Sequence, residues 1–201
     1  MSAPSFLSDV IELSDDLDVF NEYAMAQGWS DGLPLIPPTE ARVERMLQGY
    51  ERTSGTVVAH LPVEEASCTV EKIAINAVMA GCKLSYMPLL IATVQAVADP
   101  AFNLTAIQAT TNPVAPMIIV NGPIRHRLEI NCGYGCFGPG WQANATIGRV
   151  LRLLLINVGG RRSWGARYVG DGPAEQIHHV RWGERRGESV GAVARRAWLT
   201  T

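Results

Sequence analysis

Residues 144–158 read NATIGRVLRLLLINV, a run of helical length that is apolar nearly all round. Such a helix keeps no broad face for water, so it is predicted to lie buried, and Gly159-Gly160 closes it. The chain around it is 201 residues long and 47% apolar, enough to bury a core without a disulfide or metal staple. Collagen-like, disordered and coiled-coil architectures are excluded on the same composition.

Shorter patterns surround that run. Residues 16–27 carry Leu17, Phe20, Tyr23 and Met25 loosely at helical intervals, and Gly28 supplies the stop. In residues 29–39 (WSDGLPLIPPT), Asp31-Gly32 marks a turn, and Pro34, Pro37 and Pro38 forbid helix and central strand alike. A stiff, extended loop is predicted there. Thr39 is the expected N-cap of a short helix running to about Gly49, with Glu40 in its first turn and Val43, Met46 and Leu47 on one face.

Residues 56–61 (TVVAHL) are β-branched and brief and predict a strand. Between 69 and 80 the apolar set Val70, Ile73, Ala74, Ala77 and Val78 is helical, with Gly81 as the stop. Pro88 opens a second helix that runs to Asp99-Pro100, which leaves Cys82 in the link between the two. Residues 104–110 and 117–120 read as strands, the second (MIIV) apolar on both faces and so expected at the centre of a sheet. The fold class that follows is α/β or α+β, a single domain with a mixed sheet packed by helices. An N-terminal helical segment (1–27) precedes the main domain (28–160), and a poorly ordered, Arg-rich tail (161–201) follows it.

The tail stands apart in charge. Residues 161–201 hold eight arginines against four acids, which leaves nine basic and fifteen acidic residues for the body, on a chain of formal net charge −2. Six of these arginines come as the pairs Arg161-Arg162, Arg185-Arg186 and Arg195-Arg196, spread among glycines and acids with no apolar period, which argues against a nucleic-acid arm. No apolar run spans a bilayer, and the acidic start MSAPSFLSDVIELSDD is unlike a signal peptide, so a cytoplasmic location is expected, with Cys68, Cys82, Cys132 and Cys136 as thiols.

Gly81-Cys82-Lys83 is the most suggestive local chemistry. A thiol attacks as thiolate, which the Lys83 ammonium favours and the negative end of a helix opposes. The plainer account is an inert buried cysteine. The stretch 137–141 (FGPGW) leads to Asn144 at the head of a helix, where backbone N–H groups accept an anion, with Arg149 one turn deeper. A tight loop that merely fixes the helix angle accounts for the same glycines. Cys132 and Cys136 supply at most two zinc ligands, and His60, His126, His178 and His179 stand in no ligand spacing with them, so no metal or other cofactor is expected. Without a Gly-x-Ser-x-Gly elbow a Ser-His-Asp triad is equally unsupported. Trp29 and Asp31 are placed to face a ligand, although a loop aromatic covering a core edge is the blander explanation.

Several strings together resemble one bacterial family: residues 28–47 (GWSDGLPLIPPTEARVERML), 69–83 (TVEKIAINAVMAGCK), 86–88 (YMP), 102–116 (FNLTAIQATTNPVAP), 119–124 (IVNGPI) and 137–149 (FGPGWQANATIGR). That family accompanies the UGSC-motif selenocysteine or cysteine proteins, a group associated with glycine and proline reductase type redox chemistry. The resemblance singles out Cys82 with Glu71, Lys72, Asn76, Asn121, Asn131, Gly138, Gly140, Asn144 and Arg149. Joined to the local readings, the expected catalytic set is Cys82, Lys83 and Glu71, and the expected substrate-binding set is Asn121, Gly122, Asn131, Gly138, Gly140, Asn144 and Arg149 with Trp29 and Asp31. Leu84-Ser85 stands where the family pattern has Pro-Glu. Cys132 and Cys136 stand where it has Ser and Ala, which counts against a family role for that pair.

The tail departs further, since the pattern continues with ENEEASP and WEPLHVERG. Residues 183–189 (GERRGES), encoded with permitted codons and read one base later, give ENEEAS and a proline codon; residues 190–199 continue as WEPLHVERGL, and 161–168 become GGPGARD. A one-base frameshift near Gly160 therefore accounts for the patternless tail. The gene's nucleotide sequence tests this: codons that do not restore those strings refute it.

Three functions follow. The first is an oxidoreductase component of a thiol or selenol system that acts on a small anionic molecule beside a UGSC-type partner. The second is a non-catalytic scaffold or partner subunit, and the third an inactive product of a shifted frame. A homo-oligomer or hetero-complex would cover the apolar residues of the 29–39 loop.

Overall fold

A computed structural model describes residues 8–48, 50, 53–62, 65–110 and 114–159. The Arg-rich tail and the first seven residues lie outside the described residues, as does Gly49. Helix α1 (Leu17–Ala26) starts at Asp16, whose carboxylate accepts from the N–H groups of Asp18 and Val19, and it ends before Gly28 as the pattern predicted. Helix α2 (Glu40–Leu47) has Thr39 at its N-cap position, but the Thr39 hydroxyl makes no capping bond; its backbone carbonyl receives the N–H groups of Arg42 and Val43 instead.

Strand β1 (Val57–Leu61) pairs antiparallel with β2 (Ala66–Thr69), with Leu61 opposite Ala66, His60 opposite Ser67, and an irregularity between Val57 and Ala59. Helix α3 (Val70–Ala80) springs directly from β2, the Thr69 hydroxyl accepting from Lys72 N at 3.2 Å. It stops at Gly81, whose φ of 83° is open to glycine at little cost. One 3-10 turn (Leu84–Tyr86) leads into α4 (Met87–Ala98), with Pro88 in its first turn, where no intrahelical N–H is needed.

Helix α7 (Gln142–Asn157) is the expected apolar rod and begins two residues earlier than Asn144 suggested. It packs chiefly on α3 and also on α4, while β1 rests on α4 and α2 on α3. The core they share includes Ile73, Ala77, Leu90, Val94, Ile147, Val150 and Leu154, all buried. Half-buried Asn157 crosses that interface, donating to Oδ1 of buried Asn76 at 2.8 Å and also to Trp29 O, so the buried Asn76 amide oxygen is satisfied. Helices and a sheet are thus mixed in one fold, as expected.

The sheet is smaller than predicted. Among the described residues it consists of β1 and β2 alone. Residues 104–110 were expected as a strand and instead form helix α5 (Leu104–Ala109) after the 3-10 turn Pro100–Phe102. Leu104 and Gln108 are buried and Ile107 partly so, the three- and four-residue spacing of a helix face, and that packing overrides the β-propensity of Thr105 and Ile107. The MIIV segment is not a central strand either: Ile118 and Val120 touch the core while Ile119 stays 68% exposed. It leads to the short helix α6 (Ile124–Arg127).

Candidate functional site

The end of α3 positions Cys82. The Gly81 N–H bonds to Val78 O and the Cys82 N–H to Ala77 O, both at 2.9 Å, so the cysteine backbone caps the helix and its side chain emerges against α7. Gln142, in the first turn of α7, reaches back to Gly81 O at 2.9 Å. The thiol hydrogen-bonds with the Thr146 side chain and feels the Arg149 charge, but burial dominates both and pushes it up from 9.0 to about 12. It is a protonated thiol at neutral pH.

Lys83 does not activate it. The Lys83 ammonium is exposed and binds Glu129 at 2.6 Å, which raises the lysine and lowers the carboxylate through their mutual hydrogen bond. Glu71 stands at the other end of α3, about 16 Å away along the helix axis at the usual rise per residue. It is buried there and accepts from Ser8 N at 2.9 Å. The expected catalytic trio is therefore not assembled around one point.

Arg149 is committed to the 29–34 loop. Its Nε and Nη2 donate to the two Asp31 oxygens at 2.9 Å each, and Nη2 also donates to Leu33 O and Pro34 O. Asp31 itself accepts from Leu33 N, and Ser30 braces the same turn through Leu33 O and Gly32 N. A planar guanidinium suits such bidentate pairing, and here its charge is balanced within the fold. Trp29 packs edge-on against Tyr23, ring centroids 5.5 Å apart, and its carbonyl takes the Asn157 amide. It covers the core edge, the blander of the two readings.

Asn144 and Asn131 are brought together, but as a clamp. Buried Asn144 accepts from Asn131 N at 2.9 Å and donates to Asn131 O and Cys136 O at 2.8 and 3.2 Å. Gly138 follows with its N–H on Gly135 O at 2.8 Å, and Gly140 holds a φ of 101° at the approach to α7. Asn121 and Gly122 lie exposed at the turn before α6, with Gly122 at positive φ.

Lys72 donates to Ser67 O and so ties α3 to β2, while Asn76 donates to Lys72 O within α3 and accepts from Asn157 of α7. Four contributors were missed by the sequence reading: Thr146, Gln142, Glu129 and Tyr86. Thr146 carried a signal, since it lies three residues before Arg149 and shares its helix face. Tyr86 is buried with its hydroxyl unpartnered among the described residues, and burial is the main cause of its raised pKa, opposed by the Lys83 charge.

Among the described residues no group of three or more His, Cys, Asp or Glu is gathered to hold a metal ion, and no helix is long and apolar enough to cross a membrane. What the fold and this geometry define is a helical domain with one small β-hairpin, whose polar groups at the α3–α7 junction are mostly engaged with one another. Comparison with protein-family models, with curated proteins and with solved structures finds no match.

Proposed function

We propose that the chain is a cytoplasmic component of a thiol- or selenol-dependent redox system acting on a small anionic molecule. In it the α3–α7 junction holds and orients rather than attacks, the non-catalytic partner role beside a UGSC-type protein. The observation that supports this reading is the state of Cys82: its thiol is pushed up to about 12 while Lys83, the candidate activator next to it in sequence, is turned onto Glu129. A nucleophilic cysteine requires the opposite, an electropositive setting that favours the thiolate. The resemblance of residues 28–160 to the UGSC-associated family motivates the redox setting. The shifted-frame reading of residues 161–201 adds that this chain keeps the scaffold and Cys82 but loses part of the site or a last sheet strand, and with it some or all activity.

A second reading keeps Cys82 catalytic, and the Thr146 hydroxyl with the Arg149 charge beside the sulfur favours it. Alkylation of the native full-length chain with iodoacetamide at neutral pH, followed by peptide mass spectrometry, separates the two. The holding role requires Cys82 to react about three orders of magnitude more slowly than free cysteine, in proportion to its thiolate fraction. Reaction at or above the rate of free cysteine overturns it in favour of the second reading.

A further inference from the structure

The accessible sulfur chemistry lies elsewhere, on the loop between α6 and α7. We propose that Cys132 and Cys136 form a dithiol that exchanges with anionic low-molecular-weight disulfides and closes into an intramolecular disulfide. Nothing in this inference depends on the role of Cys82.

Geometry carries it. Because one Asn144 amide nitrogen donates to both Asn131 O and Cys136 O, at 2.8 and 3.2 Å, those two carbonyl oxygens lie within 6.0 Å of each other. The segment 131–136 is thus a closed loop, with Cys136 at one of its ends and Cys132 one residue in from the other. Bonds inside it set the turn: Asn131 Oδ1 accepts from Gly133 N, Asn131 Nδ2 donates to Tyr134 O, and Cys136 N donates to Gly133 O. Gly133 and Gly135 flank the fully exposed Tyr134, and Gly135 sits at a φ of 71°, so the backbone is able to adjust to the Cα spacing of about 4.4–6.8 Å that a disulfide requires.

The two sulfurs differ in the way an exchange requires. Cys132 is exposed and Cys136 only partly so, which assigns the attack to the first and resolution to the second. Arg125 donates through Nη1 to Cys132 Sγ, and the bond from Ile130 N to Arg125 O at 2.9 Å folds the chain back to bring it there. Its Nη2 meets His126 Nε2 at 2.9 Å. The Arg125 guanidinium thus sets a positive charge against the attacking sulfur, which fits a disulfide that carries carboxylates.

The steps balance. The Cys132 thiolate attacks one sulfur of the disulfide, forming a mixed disulfide and releasing the first thiolate. The Cys136 thiolate then attacks Cys132 Sγ, releases the second thiolate and leaves the Cys132–Cys136 bond. One disulfide is reduced to two thiols, the two cysteines lose two electrons, and their two protons pass to the leaving thiolates.

Glutathione disulfide is the probe. The reduced full-length chain is mixed with it at neutral pH, quenched with acid, blocked with N-ethylmaleimide and mapped by mass spectrometry. The expected wild-type result is a Cys132–Cys136 bond with two glutathione thiols released per chain, while Cys68 and Cys82 remain blockable after denaturation. Cys136→Ser should stall as a glutathione adduct at Cys132, and Cys132→Ser should abolish fast exchange. Arg125→Gln should slow glutathione disulfide about tenfold and uncharged hydroxyethyl disulfide less. A wild-type chain that stops at the mixed disulfide, that pairs either cysteine elsewhere, or that does not react, overturns the proposal without any variant being needed.

Discussion

Replacing Asp31 by alanine tests how the loop and α7 are joined. The substitution removes two 2.9 Å charge-assisted bonds and leaves the Arg149 guanidinium with only the Leu33 and Pro34 carbonyls. The Asp31 and Arg149 side chains are 14% and 18% exposed, so the pair is largely withdrawn from solvent. Removing one partner of a buried pair costs about 3–5 kcal/mol, and the surviving carbonyl bonds place this case near the low end, about 3 kcal/mol. In a domain of this size that corresponds to a fall in Tm of roughly 6–12 °C. Arg149→Ala should cost about as much. The double variant should be less destabilised than the two added together, with a coupling of about 2 kcal/mol. Urea unfolding of the four proteins followed by circular dichroism measures it. A coupling below about 0.5 kcal/mol, the value of an exposed pair, would refute the argument that this contact is shielded and structural.

Two further outcomes follow from the core. Cys68 and Cys82 are both pushed up from 9.0 to about 12, principally by burial, so the folded chain keeps protons that the unfolded chain gives up. That stability is fully present below about pH 9 and is lost as pH rises toward 12, at up to about 3 kcal/mol per pH unit while both titrate; urea midpoints across pH 8–11 should fall, and less steeply in Cys82→Ala. Just past the end of α7 a Cβ on Gly159 would lie 2.9 Å from both Leu155 O and Pro62 O, so Gly159→Ala should destabilise by about 1–3 kcal/mol, and an unchanged urea midpoint would show that Gly159 and Pro62 are not held this closely.

The helices were legible in the sequence wherever a 3.6-residue apolar period met a stop. Val70 to Val78 before Gly81, the run after Pro88, and the apolar rod of α7 are such cases. Residues 104–109 and 117–120 misled because short runs of β-branched residues become strands only when a ladder is available. The helical spacing of Leu104, Ile107 and Gln108 was obscured by a buried polar glutamine. At the site, local features such as the αL stop at Gly81 could be read directly. The pairings that decide its chemistry join residues far apart, Lys83 with Glu129 and Asp31 with Arg149, and no spacing rule connects them. Lys83 illustrates the difficulty: adjacency in sequence suggested an activator for Cys82, whereas three-dimensional packing supplied it with a carboxylate.

The Asp31–Arg149 clamp spans 118 residues of chain. During synthesis at about 5–20 residues per second, the tryptophan loop must therefore wait roughly 6–24 s for its guanidinium to be made. Until then its prolines and apolar side chains have no partner from α7. The nascent chain passes through an interval in which this loop is held by earlier contacts alone, Leu35 N on Asn21 and Ile36 N on Met79 O, and it closes against the core once α7 has been made.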